Sequence, residues 1–213
     1  CALPISVEAL RFVTKRGQIM AGLRLDDMGS MAAVRTDATH VSELLNGRPD
    51  VQIANLNYPL QTVVSGTTAA VEQFVADANA AAIKATTLRV SHAFHSTLLE
   101  PICDELNGEI AKLKFKPTHA SVVSAVSRGV YSAANAQGIF REHATAAVDF
   151  ISAVRFCKES EASSDMFLEV GSGTTLTRFV RGTLSQTHLA QSMGTRDGDD
   201  QTDLLKSLGA LVV

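Results

Sequence analysis

The fold class of this chain is decided by the stretch Val51-Gln52-Ile53-Ala54-Asn55-Leu56-Asn57-Tyr58-Pro59-Leu60-Gln61-Thr62-Val63-Val64-Ser65. Residues Val51–Asn55 and Thr62–Ser65 are rich in β-branched side chains, which favour extended strands. The segment between them, Asn57-Tyr58-Pro59, contains a proline, which favours a turn. The stretch therefore predicts two short strands joined by a turn.

The elements on both sides of these strands follow a regular order. A strand at Ser30–Val34 and a helix from Ala38 to Leu45 precede them. A helix that begins at Thr67 or Thr68 and ends near Ala82 follows, and then a strand at Ala85–Val90. The order βαββαβ is typical of the split βαβ, or ferredoxin-like, unit, in which two helices cover one face of a four-stranded antiparallel sheet. We therefore expect a small subdomain over residues 29–90.

The remaining residues alternate short apolar strands with helices. This alternation predicts a parallel sheet with helices on both faces, so residues 1–28 and 91–213 are expected to form one larger α/β subdomain that holds the small unit as an insert. The predicted helices are Ile5–Met20 with Ser6 as N-cap, Thr97–Ala111 entered through Pro101, Ala133–His143, Asp149–Ser160 and Thr174–Leu184, and the predicted strands are Ser121–Ser124, buried on both faces, and Asp165–Val170.

Composition limits the classes of partner and compartment. A net charge of −3 gives no broad basic field for a nucleic acid. No run approaches 18 apolar residues, and no basic and apolar leader precedes a cleavage site, so neither a membrane span nor secretion is expected. The three cysteines, Cys1, Cys103 and Cys157, are odd in number and lack metal-like spacing, which favours a reducing compartment. We therefore expect a cytoplasmic protein.

A histidine segment, Val90-Ser91-His92-Ala93-Phe94-His95-Ser96, stands out in a chain with 5% aromatic residues. Histidine has an ordinary pKa of about 6.5, so its neutral ring can take a proton from a serine and return it to a leaving thiol. The segment is therefore typical of an acyl-transfer site. The matching nucleophile elbow, Gly-x-Ser-x-Gly, is absent from the sequence, and Gly171-Ser172-Gly173 lacks its spacing.

Five segments resemble, in family order, the malonyl-CoA:acyl carrier protein transacylase family, which includes the acyltransferase domains of polyketide and fatty acid synthases. They are Thr14–Met20 with its Arg-Gly pair, Gly29–Val34, Asn55–Gly66, His92–Ser96 and Phe167–Gly171. The resemblance spans nearly the whole chain. It implies an α/β-hydrolase-like large subdomain with a ferredoxin-like insert.

The resemblance also implies roles for particular side chains. His95 matches the general base of the family, and Arg16 matches the arginine that holds the free carboxylate of a malonyl group. Asn57 is expected to line the substrate cleft. His92 and Phe94 belong to the His-Ala-Phe-His form of the segment, which resembles malonyl-selecting members, with Phe94 crowding the α-methyl group of methylmalonyl.

The implied reaction has two steps. A serine attacks the thioester of malonyl-CoA while His95 takes its proton, and the malonyl ester then passes to the phosphopantetheine thiol of an acyl carrier protein. The family orients its histidine with a backbone carbonyl, and the match to Ala147-Val148-Asp149-Phe150 assigns that carbonyl to Asp149. Neither a metal nor a bound cofactor is expected, and other synthase domains such as a ketosynthase are expected partners.

The family's nucleophile elbow is expected just upstream of Cys1. The sequence is therefore interpreted as an N-terminally truncated acyltransferase that is inactive alone. Two other functions stay open: a noncatalytic carrier-protein docking or scaffold module of a synthase, and a thioesterase or hydrolase on a similar scaffold.

Each site residue also has a plainer interpretation. Arg16 can pair with Asp26 or Asp27 on the surface, and Asn57 can stabilise a turn through its own backbone contacts. His92 and His95 have the spacing of a metal pair, but no third ligand follows at a suitable distance in the sequence.

Overall fold

A computed structural model of the protein describes residues 7–160, 166–185 and 189–194, together with the single positions 202, 205 and 209. The helices are α1 (Val7–Gly22), α2 (Ala38–Leu44), α3 (Thr68–Ala80), α4 (Cys103–Ile110), α5 (Ala136–Glu142), α6 (Phe150–Glu159) and α7 (Thr175–Leu184), with a 3₁₀ helix at Thr97–Ile102. The strands are β1 (Ser30–Val34), β2 (Val51–Tyr58), β3 (Gln61–Gly66), β4 (Ala85–Thr87), β5 (Val123–Ser124), β6 (Gly129–Val130), β7 (Val148–Asp149), β8 (Met166–Ser172) and β9 (Leu189–Gly194).

The main sheet has the strand order β4-β1-β3-β2-β7. Its first four strands pair antiparallel, and together with α2 and α3 they have the predicted βαββαβ order. The fifth strand was not predicted: β7 pairs in parallel with β2, with Val148 opposite Asn55. The sheet therefore joins residues of the small unit to residues from the later part of the chain.

One face of this sheet is covered by α2 and α3. On α3 the side chains of Val71, Phe74 and Ala78 are buried, because spacings of three and four residues place them on the same side of a helix. They pack against Val34 and Val64, which the sheet directs toward the same face. Burying a side chain of this size contributes about 1.5–3 kcal/mol, so this face anchors the βαββαβ unit.

The opposite face of the sheet carries the histidine segment. Met31 and Val63 are buried there, and Phe94 packs against them. The predicted strand Ala85–Val90 is shorter in the structure, since β4 ends at Thr87. Beyond it the chain leaves the ladder, after a last backbone hydrogen bond from Leu88 N to Met31 O at 2.8 Å. The histidines therefore lie on a loop that is fixed against the sheet.

Several elements outside this sheet differ from the sequence predictions. The predicted helix Thr97–Ala111 is divided into the 3₁₀ helix, which contains Pro101, and α4. The predicted strand Ser121–Ser124 forms only in part: β5 is two residues long, pairs antiparallel with β6 in a hairpin, and leaves Ser121 and Val122 exposed, so it is not buried on both faces. Ser124 Oγ accepts hydrogen bonds from Val126 N and Ser127 N, which turns the chain before a longer strand forms.

The parallel strands of the later part are β8 and β9, with Phe167 opposite Ala190. β8 was predicted, whereas β9 was not. Ser6, the predicted N-cap of α1, lies outside the described residues.

Two apolar surfaces are exposed in the described part of the chain. On α1, Val7, Leu10 and Val13 are 58–64% exposed, and on β8, Met166, Leu168 and Val170 are 40–69% exposed. Clusters of this kind are typical of surfaces that pack against other protein. No helix among the described residues is both long and apolar enough to cross a lipid bilayer.

Candidate functional site

The backbone of His95 is held in an uncommon conformation. Its φ of 58° lies in the left-handed region, which non-glycine residues seldom adopt and which other contacts must compensate. His95 N donates to Ala144 O at 3.1 Å, and Gln52 Nε2 donates to His95 O at 3.1 Å. The N–H of His95 is thus held by the loop after α5, and its carbonyl is held by a side chain of β2.

The ring of His95 is oriented by a backbone carbonyl. Nδ1 lies 3.1 Å from the carbonyl oxygen of Ala146. A carbonyl can only accept a hydrogen bond, so this contact places the proton on Nδ1 and leaves the lone pair of the neutral ring on Nε2. A ring fixed in this tautomer can accept a proton at Nε2.

The surroundings of His95 favour the neutral ring. Burial lowers the pKa of His95 below its ordinary value, and the positive charge of Arg16 lowers it further, whereas the carbonyls of Ala146 and His143 act in the opposite direction. Only the neutral form of the ring can accept a proton. A lowered pKa means that His95 is in this form at neutral pH.

The sequence prediction for the orienting carbonyl is wrong in its residue: the carbonyl belongs to Ala146, not to Asp149. The Asp149 carboxylate instead caps α6, accepting from Ser152 N at 2.9 Å and from Ser152 Oγ at 2.8 Å. It also pairs with Arg128 Nε at 3.0 Å. Asp149 therefore stabilises the start of α6, and it lies three residues after Ala146, whose carbonyl contacts His95.

Arg16 is half-buried on α1 and lies close to two histidines. Its charge lowers the pKa of both His95 and His143, and it lines a cavity of about 350 Å³ together with His143 and Phe140. Within the described residues Arg16 has neither a salt bridge nor a side-chain hydrogen bond. Its fork of N–H donors is therefore open to an anion.

The alternative pairing of Arg16 with Asp27 is not what the structure contains. Asp27 accepts hydrogen bonds from Gly29 N at 2.8 Å and from Thr68 N at 2.7 Å. The carboxylate thus connects the start of β1 to the start of α3.

The rings of His92 and Phe94 lie next to each other. Their ring centroids are 5.6 Å apart, and His92 is 9% exposed. His92 Nδ1 contacts Ser91 Oγ at 2.8 Å, while its buried Nε2 has no hydrogen-bond partner in the described structure. Phe94 is half-buried. It packs against the sheet and against a buried apolar cluster that includes Ile19, Leu99 and Leu106. No three His, Cys, Asp or Glu side chains of the described ranges come together as a metal site.

Asn57 is placed by the structure at the end of β2, with its amide donating to Gln61 Oε1 at 3.1 Å. The turn itself is formed by Pro59 and Leu60. None of the described hydrogen bonds joins Asn57 to the histidine segment. Its contact fits the plainer interpretation, in which the side chain stabilises the hairpin.

Sequence reasoning missed three groups that touch the histidine segment or its supporting loop. Gln52 bonds to His95 O and accepts from Thr97 N at 3.3 Å. Its type gave little signal, because β2 also contains the polar residues Asn55 and Asn57. Tyr131 contacts His143 Nε2 at 2.8 Å. The carbonyl of Ala146 gave no signal, because every residue has a carbonyl.

Comparison with known proteins identifies the family of this chain. The sequence model of the acyl transferase domain family matches residues 1–212. Polyketide synthase GfsA from Streptomyces halstedii is 36% identical over 182 residues, which are 84% of this chain and 2% of that protein. The conidial yellow pigment biosynthesis polyketide synthase from Emericella nidulans is 28% identical over 204 residues, which are 92% of this chain and 9% of that protein.

Solved structures have the same fold over most of this chain. The acyltransferase domain from the second module of the salinomycin polyketide synthase has a TM-score of 0.85 at 30% identity, covering 96% of this chain and 48% of that one. The malonyl CoA-acyl carrier protein transacylase from Clostridium perfringens has a TM-score of 0.84 at 27% identity, covering 96% and 64%. The chain thus spans less than two thirds of either. The resemblance found in the sequence is confirmed, and the chain belongs to the acyl transferase domain family.

Proposed function

We propose that this chain is part of an acyltransferase that moves a malonyl group from CoA to the phosphopantetheine thiol of an acyl carrier protein, in polyketide or fatty acid biosynthesis. The observation that carries the proposal is the orientation of His95. Its Nδ1 is bound to the Ala146 carbonyl, which leaves Nε2 to act as the base, and the unpaired Arg16 lies close by.

The proposed reaction needs one proton carrier. A serine Oγ attacks the thioester carbon of malonyl-CoA while its proton moves to His95 Nε2. When the C–S bond breaks, His95 returns that proton to the CoA thiolate and a malonyl-serine ester remains. The phosphopantetheine thiol then gives its proton to His95 and attacks the ester, and the serine takes the proton back.

Arg16 is proposed to bind the free carboxylate of the malonyl group. A guanidinium binds both oxygens of a carboxylate with two parallel hydrogen bonds. Acetyl-CoA has no such group. A charge-assisted contact of about 1.5–3 kcal/mol corresponds to a preference of roughly 10- to 150-fold for malonyl over acetyl transfer.

Phe94 and His92 are proposed to select against a substituent at the α-carbon. Phe94 is wedged between the sheet and the helices that follow, so it has little room to move away from an added methyl group. A single methyl group changes selectivity by about 1–3 kcal/mol in a pocket. We therefore expect a preference for malonyl over methylmalonyl. Asn57 is also proposed to line the substrate cleft.

The nucleophile is proposed to lie on a preceding segment of a longer protein. That segment supplies the Gly-x-Ser-x-Gly elbow and covers the apolar face of α1, where Val13 is 61% exposed, and that of β8. In this arrangement residues 29–90 form the ferredoxin-like subdomain, and residues 1–28 and 91–213 belong to an α/β-hydrolase-like subdomain. This chain alone is then inactive.

The same proposal places the protein in the cytoplasm with an acyl carrier protein and other synthase domains, such as a ketosynthase, as partners. Cys103 and Cys157 are free thiols. Burial raises the pKa of both thiols, which keeps them protonated and unreactive. This state suits a reducing compartment.

Intact-mass analysis after incubation with malonyl-CoA tests the proposal. This chain is compared with a longer protein that includes the preceding segment and its Gly-x-Ser-x-Gly motif. We expect a malonyl adduct on the longer protein alone, lost in His95→Ala and weakened in Arg16→Ala. An adduct on the short chain contradicts the proposed nucleophile, and no adduct on either favours the docking or scaffold module. Free malonate released faster than carrier-bound malonate favours a hydrolase.

A further inference from the structure

Tyr131 and His143 form a hydrogen-bonded pair, and His143 lines the same cavity as Arg16. The phenol oxygen of Tyr131 lies 2.8 Å from His143 Nε2. The His143 ring is stacked on Phe140, with centroids 5.1 Å apart and planes 18° apart, and Tyr131 packs edge-on against the same Phe140 ring. The His143 ring is thus fixed by one hydrogen bond at its edge and by one aromatic ring at its face.

This pair lies at the start of the loop that holds His95. His143 is followed by Ala144, whose carbonyl accepts from His95 N. Two residues further, the carbonyl of Ala146 contacts His95 Nδ1. A shift of the His143 ring therefore displaces the acceptors that fix both the backbone and the tautomer of His95.

The contact requires no charge on His143. Burial lowers the pKa of His143, and the charges of Arg16 and His95 lower it further. A neutral His143 can accept at Nε2 from the Tyr131 hydroxyl or donate to its oxygen.

We propose that Tyr131 and His143 are positioning residues for His95: their hydrogen bond fixes the loop whose Ala146 carbonyl selects the Nδ1–H tautomer of the His95 ring. The catalytic meaning of this role depends on the function proposed above for His95, but the geometry does not. Neither side chain forms a hydrogen bond with the His95 ring among the described contacts, so both act through the loop.

Imidazole nitrogen NMR on this 213-residue chain tests the proposal. Long-range ¹H–¹⁵N spectra show which nitrogen of His95 carries the proton. Tyr131→Phe keeps the ring that packs on Phe140 and removes only the hydroxyl. Tyr58→Phe is the matched control, because Tyr58 is the other tyrosine of the chain and stacks on Phe179 instead.

We expect the wild type and Tyr58→Phe to hold His95 as the Nδ1–H tautomer. In Tyr131→Phe we expect the Nε2–H share to rise about fivefold, as for the loss of one net hydrogen bond. An unchanged His95 spectrum in a folded Tyr131→Phe protein overturns the proposal.

A second pair of variants keeps the test decisive if Tyr131→Phe fails to fold. His143→Gln retains a polar group that can bond to Tyr131, and His143→Leu does not. We expect the Nδ1–H tautomer of His95 to be preserved in His143→Gln and weakened in His143→Leu. Equal spectra for these two variants overturn the proposal. If the longer protein has the Nδ1–H tautomer of His95 but transfers no malonyl group, the proposed function is contradicted. The positioning role of Tyr131 and His143 is not affected by that result.

Discussion

The Nδ1 atom of His95 lies 3.1 Å from the carbonyl oxygen of Ala146, so a neutral dipole orients the histidine where many hydrolases use a carboxylate. A carboxylate favours the charged ring and raises the pKa of its histidine. A carbonyl selects the same tautomer with a smaller effect on charge, and burial then lowers the pKa of His95. Both effects favour a neutral His95 ring whose lone pair is on Nε2.

Acid should destabilise this fold through His95 and His143. Burial is the main reason that the pKa of each is below its ordinary value. Below an unfolded-state pKa of about 6.5 the unfolded chain binds more protons than the folded chain. Their contribution to stability is therefore complete above that pH and is lost as the pH falls through the lower folded-state values.

Urea denaturation at several pH values between neutrality and mild acid measures this loss. The double variant His95→Gln/His143→Gln should have a flatter dependence of the unfolding free energy on pH than the wild type. It lacks the two rings with a lowered pKa, and the other histidines are the same in both proteins. Parallel curves for the two proteins would mean that these rings do not control the acid response.

The regular elements were predictable where one periodicity and one buried face coincide. In α3, Val71, Phe74 and Ala78 follow the helical repeat and all face the sheet. In β2 the prediction ended too early, because Asn57 and Tyr58 remain extended through pairing with β3, where Tyr58 lies opposite Gln61. Such pairing depends on the neighbouring strand, which a local pattern does not contain.

The sequence predicts those parts of the candidate site that are side chains with a recognisable chemistry, and not those formed by the backbone. His95 and Arg16 have functional groups that their type reveals, and the charge of Arg16 lowers the pKa of His95. The contact with Ala146 depends on the path of the loop, since a methyl side chain carries no sign of it. An aspartate in the same segment was the more visible choice, and Asp149 proved to cap α6 instead.

Replacing Arg16 should change the pKa of His95 without touching its hydrogen bonds. Removing the positive charge in Arg16→Gln is expected to raise this pKa, because a neighbouring cation disfavours the charged ring. Arg16→Lys keeps the charge and is the matched control, with a pKa close to that of the wild type. An NMR pH titration of the His95 ring measures both. Equal shifts in the two variants would attribute the effect to packing of α1.

Asp149→Ala should affect stability and leave the histidine site unchanged. The carboxylate caps α6 through Ser152, and loss of such a cap costs about 0.5–2 kcal/mol. Arg128→Gln is the control: its side chain is 61% exposed, so losing this ion pair should cost less than the cap. Urea denaturation gives the stabilities, and the imidazole spectrum of His95 gives the tautomer. A changed tautomer in Asp149→Ala would mean that the cap of α6 also helps to hold the Ala146 carbonyl in place.

Gly29→Ala should damage both the fold and the histidine segment. Gly29 has a φ of +73°. An added Cβ would lie 2.5 Å from the Cβ of Ala93 and 2.6 Å from Gly66 O. Ala93 stands between His92 and His95 in the sequence. Gly47 has a similar φ of +78° but no atom within 4 Å of an added Cβ. Gly47→Ala therefore measures the backbone cost alone, about 1–2 kcal/mol.

We expect Gly29→Ala to lose more stability than Gly47→Ala by about 1–3 kcal/mol, the usual cost of overpacking. We also expect it to shift the NMR signals of His92 and His95, because Ala93 N is bound to Met28 O at 3.0 Å and cannot move without its neighbours. Urea denaturation and the imidazole spectra of both variants measure these effects. Equal losses with an unchanged His95 spectrum would mean that the segment tolerates the extra methyl group, and that the close approach of Gly29 does not hold the histidines in place.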